Sequence, residues 1–113
     1  MTKTRKIALV GPLTVERRAV HTAGYPIDPD NMLPVPDVVL LIDSGRDGCM
    51  LFRYSAHGEL CGDTPHDTAQ QAETQAQIEY GEALFPWMDV PADVADAHLF
   101  AVKYAAEQLN SRE

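Results

Sequence analysis

Apolar and polar positions divide the chain into short extended runs followed by helical ones. Lys6 to Val10 reads as a first strand. Val38-Val-Leu-Leu-Ile42 is a continuous apolar run, which suits a central strand covered on both faces. Asp43-Ser-Gly-Arg-Asp-Gly48 has the glycines a tight turn uses for positive φ, and Cys49 to Tyr54 reads as the return strand. Ala56-His-Gly58 makes a second turn, and a third strand of this meander begins over Glu59 to Gly62.

The period then lengthens. Thr64-Pro65-His66-Asp67 has the order of a helix start, with Thr64 as N-cap and Pro65 in the first helical position. This helix is expected to run to Tyr80 and stop at Gly81, burying Ala69, Ala72, Ala76 and Tyr80. Leu84 to Val90 reads as a short further strand or an extended linker. A second helix is expected from Pro91 to about Asn110, with Asp93 and Asp96 at its positive end. Val94, Ala97, Phe100, Ala101, Tyr104, Ala105 and Gln108 share one face, which Leu99 and Val102 widen. So broad an apolar face implies deep burial or a homodimer through the 91–110 helix.

The expected fold is therefore α+β: an antiparallel meander of about four strands with two helices packed on it. The whole chain, residues 1–113, reads as one domain with a loop-rich segment over 11–36. In that segment Thr14 to His21 is a candidate strand. Ala23 to Pro36 is rich in proline, aspartate and asparagine and reads as a long loop, a kind of segment that often carries function.

Composition narrows the function classes. At 45% apolar residues the chain is not compositionally disordered. No apolar run approaches the ~20 residues of a membrane span, so no membrane association is expected. The run after the basic start is too short for a signal peptide, and a cytoplasmic location is expected. Two cysteines make no disulfide framework, and the expected separation of Cys49 and Cys61 exceeds disulfide reach, so two free thiols are expected.

The net charge of −8 is unevenly spread. Residues 1–55 carry seven Lys/Arg against six Asp/Glu, whereas residues 56–113 carry only Lys103 and Arg112 against eleven acids. Such a surface repels phosphates, so no direct nucleic-acid binding is expected, and it attracts a basic protein partner. Asp89, Asp93, Asp96 and Glu107 are the candidate partner-binding residues. The plainer alternative is a solvated surface that keeps the protein dissolved.

The densest cluster of chemistry-bearing residues is His57, Cys61, Asp63, His66 and Asp67. His57, Cys61 and His66 are the candidate metal ligands, although their spacing matches no closed zinc pattern. The alternative makes His57 a turn residue and gives Asp63 and Thr64 to the helix start. A Cys61 nucleophile served by His66 and Asp67 is disfavoured, because consecutive residues at a helix start point in different directions. Asp43 and Asp47 faintly suggest a calcium loop, but Tyr54 stands where the twelfth-position Glu is required. Phosphate-loop, serine-hydrolase and zinc-protease motifs are lacking. Neither a catalytic residue nor a cofactor is expected. Arg17-Arg18 has the chemistry to hold an anion, though paired surface arginines are usually just solvated. Trp87 is expected as a core anchor between the sheet and the last helix.

Residues from about Val38 to Tyr80, with Gly62-Asp63-Thr64 before the helix and Ala69 and Ala72 inside it, resemble HicB-type antitoxin domains. The resemblance implies a meander leading through a Gly-Asp-Thr turn into an alanine-bearing helix. It covers well under half the chain, which departs from the family in its long N-terminal segment and lacks an appended basic DNA-binding region. The acidic stretch from Trp87 onward is similar in style to small bacterial proteins, acidic immunity proteins among them. The leading expectation is a non-catalytic protein-interaction module, antitoxin- or immunity-like, with a basic partner. The alternatives are a homo-oligomeric structural or small-ligand-binding domain, and a metal- or thiol-dependent enzyme using residues 57–67.

Overall fold

Strands whose residues are apolar on both faces need a layer on each side, and this sheet has one. The computed structural model describes residues 4–12 and 35–111. In chain order these form β1 (Thr4–Leu9), β2 (Val38–Asp43), β3 (Cys49–Tyr54), β4 (Leu60–His66), α1 (Ala69–Tyr80), β5 (Met88–Asp89) and α2 (Ala97–Ser111). The sheet has five antiparallel strands in the order β4-β3-β2-β1-β5, so the fold is α+β. The fifth strand is the short run within 84–90. The candidate strand over Thr14–His21, Arg17-Arg18 and nearly all of the proline-rich segment lie outside the described residues.

The helices cover opposite faces. Against α1 pack Ala8, Val10, Val39, Leu41, Cys49 and Leu51, meeting Ala72, Ala76 and Tyr80. Against α2 pack Ile7, Val38 and Leu40, meeting Ala97, Ala101 and Ala105. Each helix presents alanines at its contact line, so its axis lies close to the strands. The turns follow the glycines: Gly45, Gly48 and Gly58 all have positive φ. Asp43 Oδ1 accepts from the Gly45 amide at 2.9 Å, so this aspartate shapes a turn.

Both helices start later than the sequence pattern suggests. Thr64 lies inside β4, and Thr68 is the N-cap of α1: its hydroxyl accepts from the Gln71 amide at 3.1 Å. Gln71 Oε1 reaches back to the Asp67 amide at 3.1 Å, a variant of the reciprocal capping box. β4 continues through Pro65 because a proline can sit on an edge strand, where its missing N–H interrupts no ladder. Gly62-Asp63-Thr64 therefore lies within β4 and does not open the helix, which Thr68 caps. Gly62, with φ 118°, instead sits in a bulge where the β3–β4 register shifts between Phe52 and Tyr54.

Similarly, residues 91–96 form a turn in place of the first helical turns. Arg5 donates to the carbonyls of Val94 at 2.7 Å and Pro91 at 3.0 Å, and Asp96 caps α2 by accepting from the Leu99 amide at 3.1 Å. Trp87 is also placed differently. It is half-buried against the α1 side of the sheet, so it does not anchor the last helix.

Candidate functional site

The sequence-predicted ligands do not converge. His57 is exposed in the β3–β4 turn, where its amide donates to Ser55 Oγ at 3.2 Å. Cys61 is fully buried, with its Sγ donating to the Glu59 carbonyl at 3.5 Å. His66 Nε2 shares a 2.7 Å hydrogen bond with Thr64 Oγ1. Among the described residues no three His, Cys, Asp or Glu side chains are grouped to hold a metal ion. Both cysteines are free thiols. Burial pushes each up to about 11, with Asp43 and Glu73 adding to the effect at Cys49 and Glu59 and Asp37 adding to it at Cys61. A thiol held that high carries almost no thiolate near neutrality.

The predicted acidic set is spread as well. Asp93 and Asp96 share the 91–96 turn, and Asp89 lies on β5 opposite Lys6 of β1. Glu107 stands eleven residues beyond Asp96 along α2, about 16 Å at the helical rise. Asp96 is committed to the cap and Arg5 is tied to the same turn, so the charge at this end is partly offset.

Two constellations escaped the sequence reading. The first is a buried ion pair beneath α1. Arg53 follows Cys49 and Leu51 on the inward face of β3, beside the β4 bulge, and it is fully buried. Its Nε donates to Glu79 Oε1 at 2.8 Å and its Nη2 to Glu79 Oε2 at 2.7 Å, a two-pronged pairing. Nη2 also donates to Thr64 Oγ1 at 3.2 Å, and Gln75 Nε2 donates to Glu79 Oε2 at 2.6 Å. Tyr80 closes the network, its phenol raised well above the ordinary range, first by burial and then by the Glu79 charge. The network binds β3, β4 and α1 together and reaches the surface at His66. The signals were present: an arginine at an inward position of an apolar strand, and a glutamate one residue before Tyr80 in the helix stripe.

His66 reports on that network. Burial lowers its affinity for a proton, and the Arg53 guanidinium lowers it further, against smaller opposing effects of Glu79 and Asp67. The native state therefore resists a proton that the unfolded chain accepts near the ordinary value of 6.5. His66 should thus cost stability as pH falls below 6.5, the loss levelling off once pH is below the native value. Urea unfolding of the wild type and His66→Gln across that range should give a smaller slope for the variant. Equal slopes would remove His66 as the cause.

The second constellation lies on the α2 side. On this face α2 packs mainly on β2 and β1 and meets β3 through His98, so among the described residues much of β3 and β4 is left without a helix on this side. Alternation along β3 sends Phe52 and Tyr54 to this face, and the pairing of Phe52 with Asp63 brings that carboxylate beside them. From α2, His98 Nδ1 shares a 2.7 Å hydrogen bond with the Tyr54 hydroxyl. Its ring meets Phe52 edge-on, with centroids 4.7 Å apart. Burial raises the Tyr54 phenol, and the charges of Asp63 and Asp96 raise it further. Leu60, on the edge strand, is 50% exposed and Leu99, on α2, is 51% exposed. The result is a half-buried aromatic floor with an acid on either side and apolar shoulders. Sequence reading missed it because Tyr54 and His98 are 44 residues apart; the only local sign was the aromatic pair two residues apart in β3.

No family model, curated protein or solved structure matches the chain. Among the described residues no helix is long and apolar enough to cross a membrane.

Proposed function

We propose that this chain is a cytoplasmic, non-catalytic protein-interaction module, antitoxin- or immunity-like, that takes a basic protein partner on its open β3–β4 face. One observation carries the reading: Phe52, Tyr54 and His98 form an aromatic floor flanked by the carboxylates of Asp63 and Asp96. Aromatic faces and carboxylates together favour arginine and lysine side chains, through cation–π attraction and charge-assisted hydrogen bonds. Aromatic anchors also dominate protein–protein binding energy. The buried, raised thiols weigh against a thiol enzyme. The partner-binding set shifts accordingly, with Asp63 joining Asp96 while Asp89, Asp93 and Glu107 supply long-range attraction.

The test is capture from a lysate of the native host by the immobilised full-length chain. At low salt a basic protein should be retained, and raising salt several-fold should release it, since screening shortens the reach of exposed charges to under about 10 Å. Asp63→Lys should cut capture at least about tenfold. Asp96→Asn, which keeps the cap and removes the charge, should weaken it less. The same partner held equally well at high salt, and by Asp63→Lys, would sink the reading.

A further inference from the structure

The proposed partner has two distinct ways to use this face. It can add a strand to the β4 edge, or it can lay a helix over β3 and β4 beside α2. The β4 edge is poorly suited to the first. Pro65 lacks an N–H, and the bulge opposite Arg53 breaks the regular spacing of hydrogen-bonding groups. The Asp67 amide is already taken by Gln71. Asp63 adds an exposed charge in mid-strand, and a second copy pairing antiparallel here would bring like charges together.

The open face suits a helix. Neighbouring strands lie about 4.8 Å apart, so β3 and β4 together offer about 10 Å of width, one helix diameter. Packed helices sit about 8–10 Å apart, and with α2 over β1 and β2 an axis over β3–β4 lies about two strand spacings away, roughly 10 Å. α2 supplies the side wall: His98 over the aromatic floor, and Val102, whose Cγ1 lies 3.9 Å from where a Gly58 side chain would begin. Leu99 stands above this wall, and Leu60 forms the opposite shoulder. Apolar shoulders with carboxylates at Asp63 and Asp96 complement a helix with one apolar stripe flanked by cations.

We infer that the β3–β4 face is a berth for a basic amphipathic helix of the partner, lying alongside α2 as a second helix on that side of the sheet. This rests on the interaction reading above and specifies the element the partner presents.

The test uses the full-length chain and two synthetic peptides of identical Leu/Lys composition, each about 18 residues long. One has its leucines at helical spacing and the other has them alternating. The helical-period peptide should bind at least about tenfold tighter by isothermal titration, gain helicity on binding, and shift the ring resonances of Phe52, Tyr54 and His98. Leu60→Lys with Leu99→Lys should weaken it at least about tenfold, while Ile78→Lys, on α1, should leave it unchanged. Tighter binding of the alternating peptide, with protection of β4 amides, would overturn the inference in favour of edge-strand addition. So would sedimentation showing a dimer that Leu60→Lys dissociates, or cross-links from Leu60→Cys to residues 13–34 of the same chain. A basic partner captured equally well by the Leu60→Lys, Leu99→Lys variant would keep the interaction reading and remove the helix berth. Helical-peptide binding with no basic partner captured would do the reverse.

Discussion

Glu79→Ala should lower the stability of the fold by about 3–5 kcal/mol, the usual effect of removing one member of a buried ion pair. Both side chains are almost wholly out of water, with Arg53 at 0% and Glu79 at 2% exposure. Removing the carboxylate leaves a guanidinium that cannot lose its proton and has lost its two charge-assisted bonds. The acceptors left to it include Thr64 Oγ1, the Leu51 carbonyl and the Tyr80 phenol, all neutral. Against a total stability of about 5–15 kcal/mol for a domain of this kind, such a loss brings the variant close to unfolding at room temperature. Guanidinium unfolding followed by circular dichroism measures it. The double replacement Arg53→Met, Glu79→Leu should recover much of the loss, because the desolvation of both charges disappears with them. A Glu79→Ala variant within about 1 kcal/mol of wild type would mean that water reaches the guanidinium, and the pair would no longer be the clamp on α1.

Leu40→Ala and Leu41→Ala should each cost about 2–5 kcal/mol, the range for emptying a closed apolar site. Both residues are fully buried, although they are adjacent in one strand. This is possible only because Leu40 faces α2 and Leu41 faces α1. In a sheet covered on one side, one of the two would lie in water and its replacement would be nearly neutral. Comparable losses for both are therefore the solution test of the two-sided architecture. Because the residues sit in different layers, their effects should add to within about 0.5 kcal/mol, and the double variant should be largely unfolded. Leu60→Ala, on the half-exposed edge strand, should cost under about 1 kcal/mol. A strongly asymmetric Leu40/Leu41 pair would contradict the placement of one helix.

The central strands were legible in the sequence because Val38 to Ile42 is apolar at successive positions and is bounded by residues that turn. The register between β2 and β3 follows from the Asp43 to Gly48 turn. The stop of α1 at Gly81 and its stripe of Ala72, Ala76 and Tyr80 were also readable, since both express local backbone and packing requirements. The starts of the helices were less so. Thr64-Pro65 and Thr68-x-x-Gln71 are competing caps of similar local quality. The choice between them was made by Thr64 reaching Arg53, a residue of another strand. Pro91 and Asp96 compete in the same way, and Arg5, from the far end of the chain, holds the intervening turn.

What the sequence by itself determined is the alternation, the turns, the alanine stripes and the excess of acid in the second half, all of which are properties of near neighbours along the chain. Only the tertiary structure decided that the helices lie on opposite faces, that Arg53 meets Glu79, and that Phe52, Tyr54, Asp63 and His98 share one surface. Those outcomes depend on strand order and on which side each connection crosses. The free energy of burying a given apolar residue is nearly the same on either face of a sheet, so local pattern cannot choose between them. The choice falls to the long-range contacts that form when the layers close.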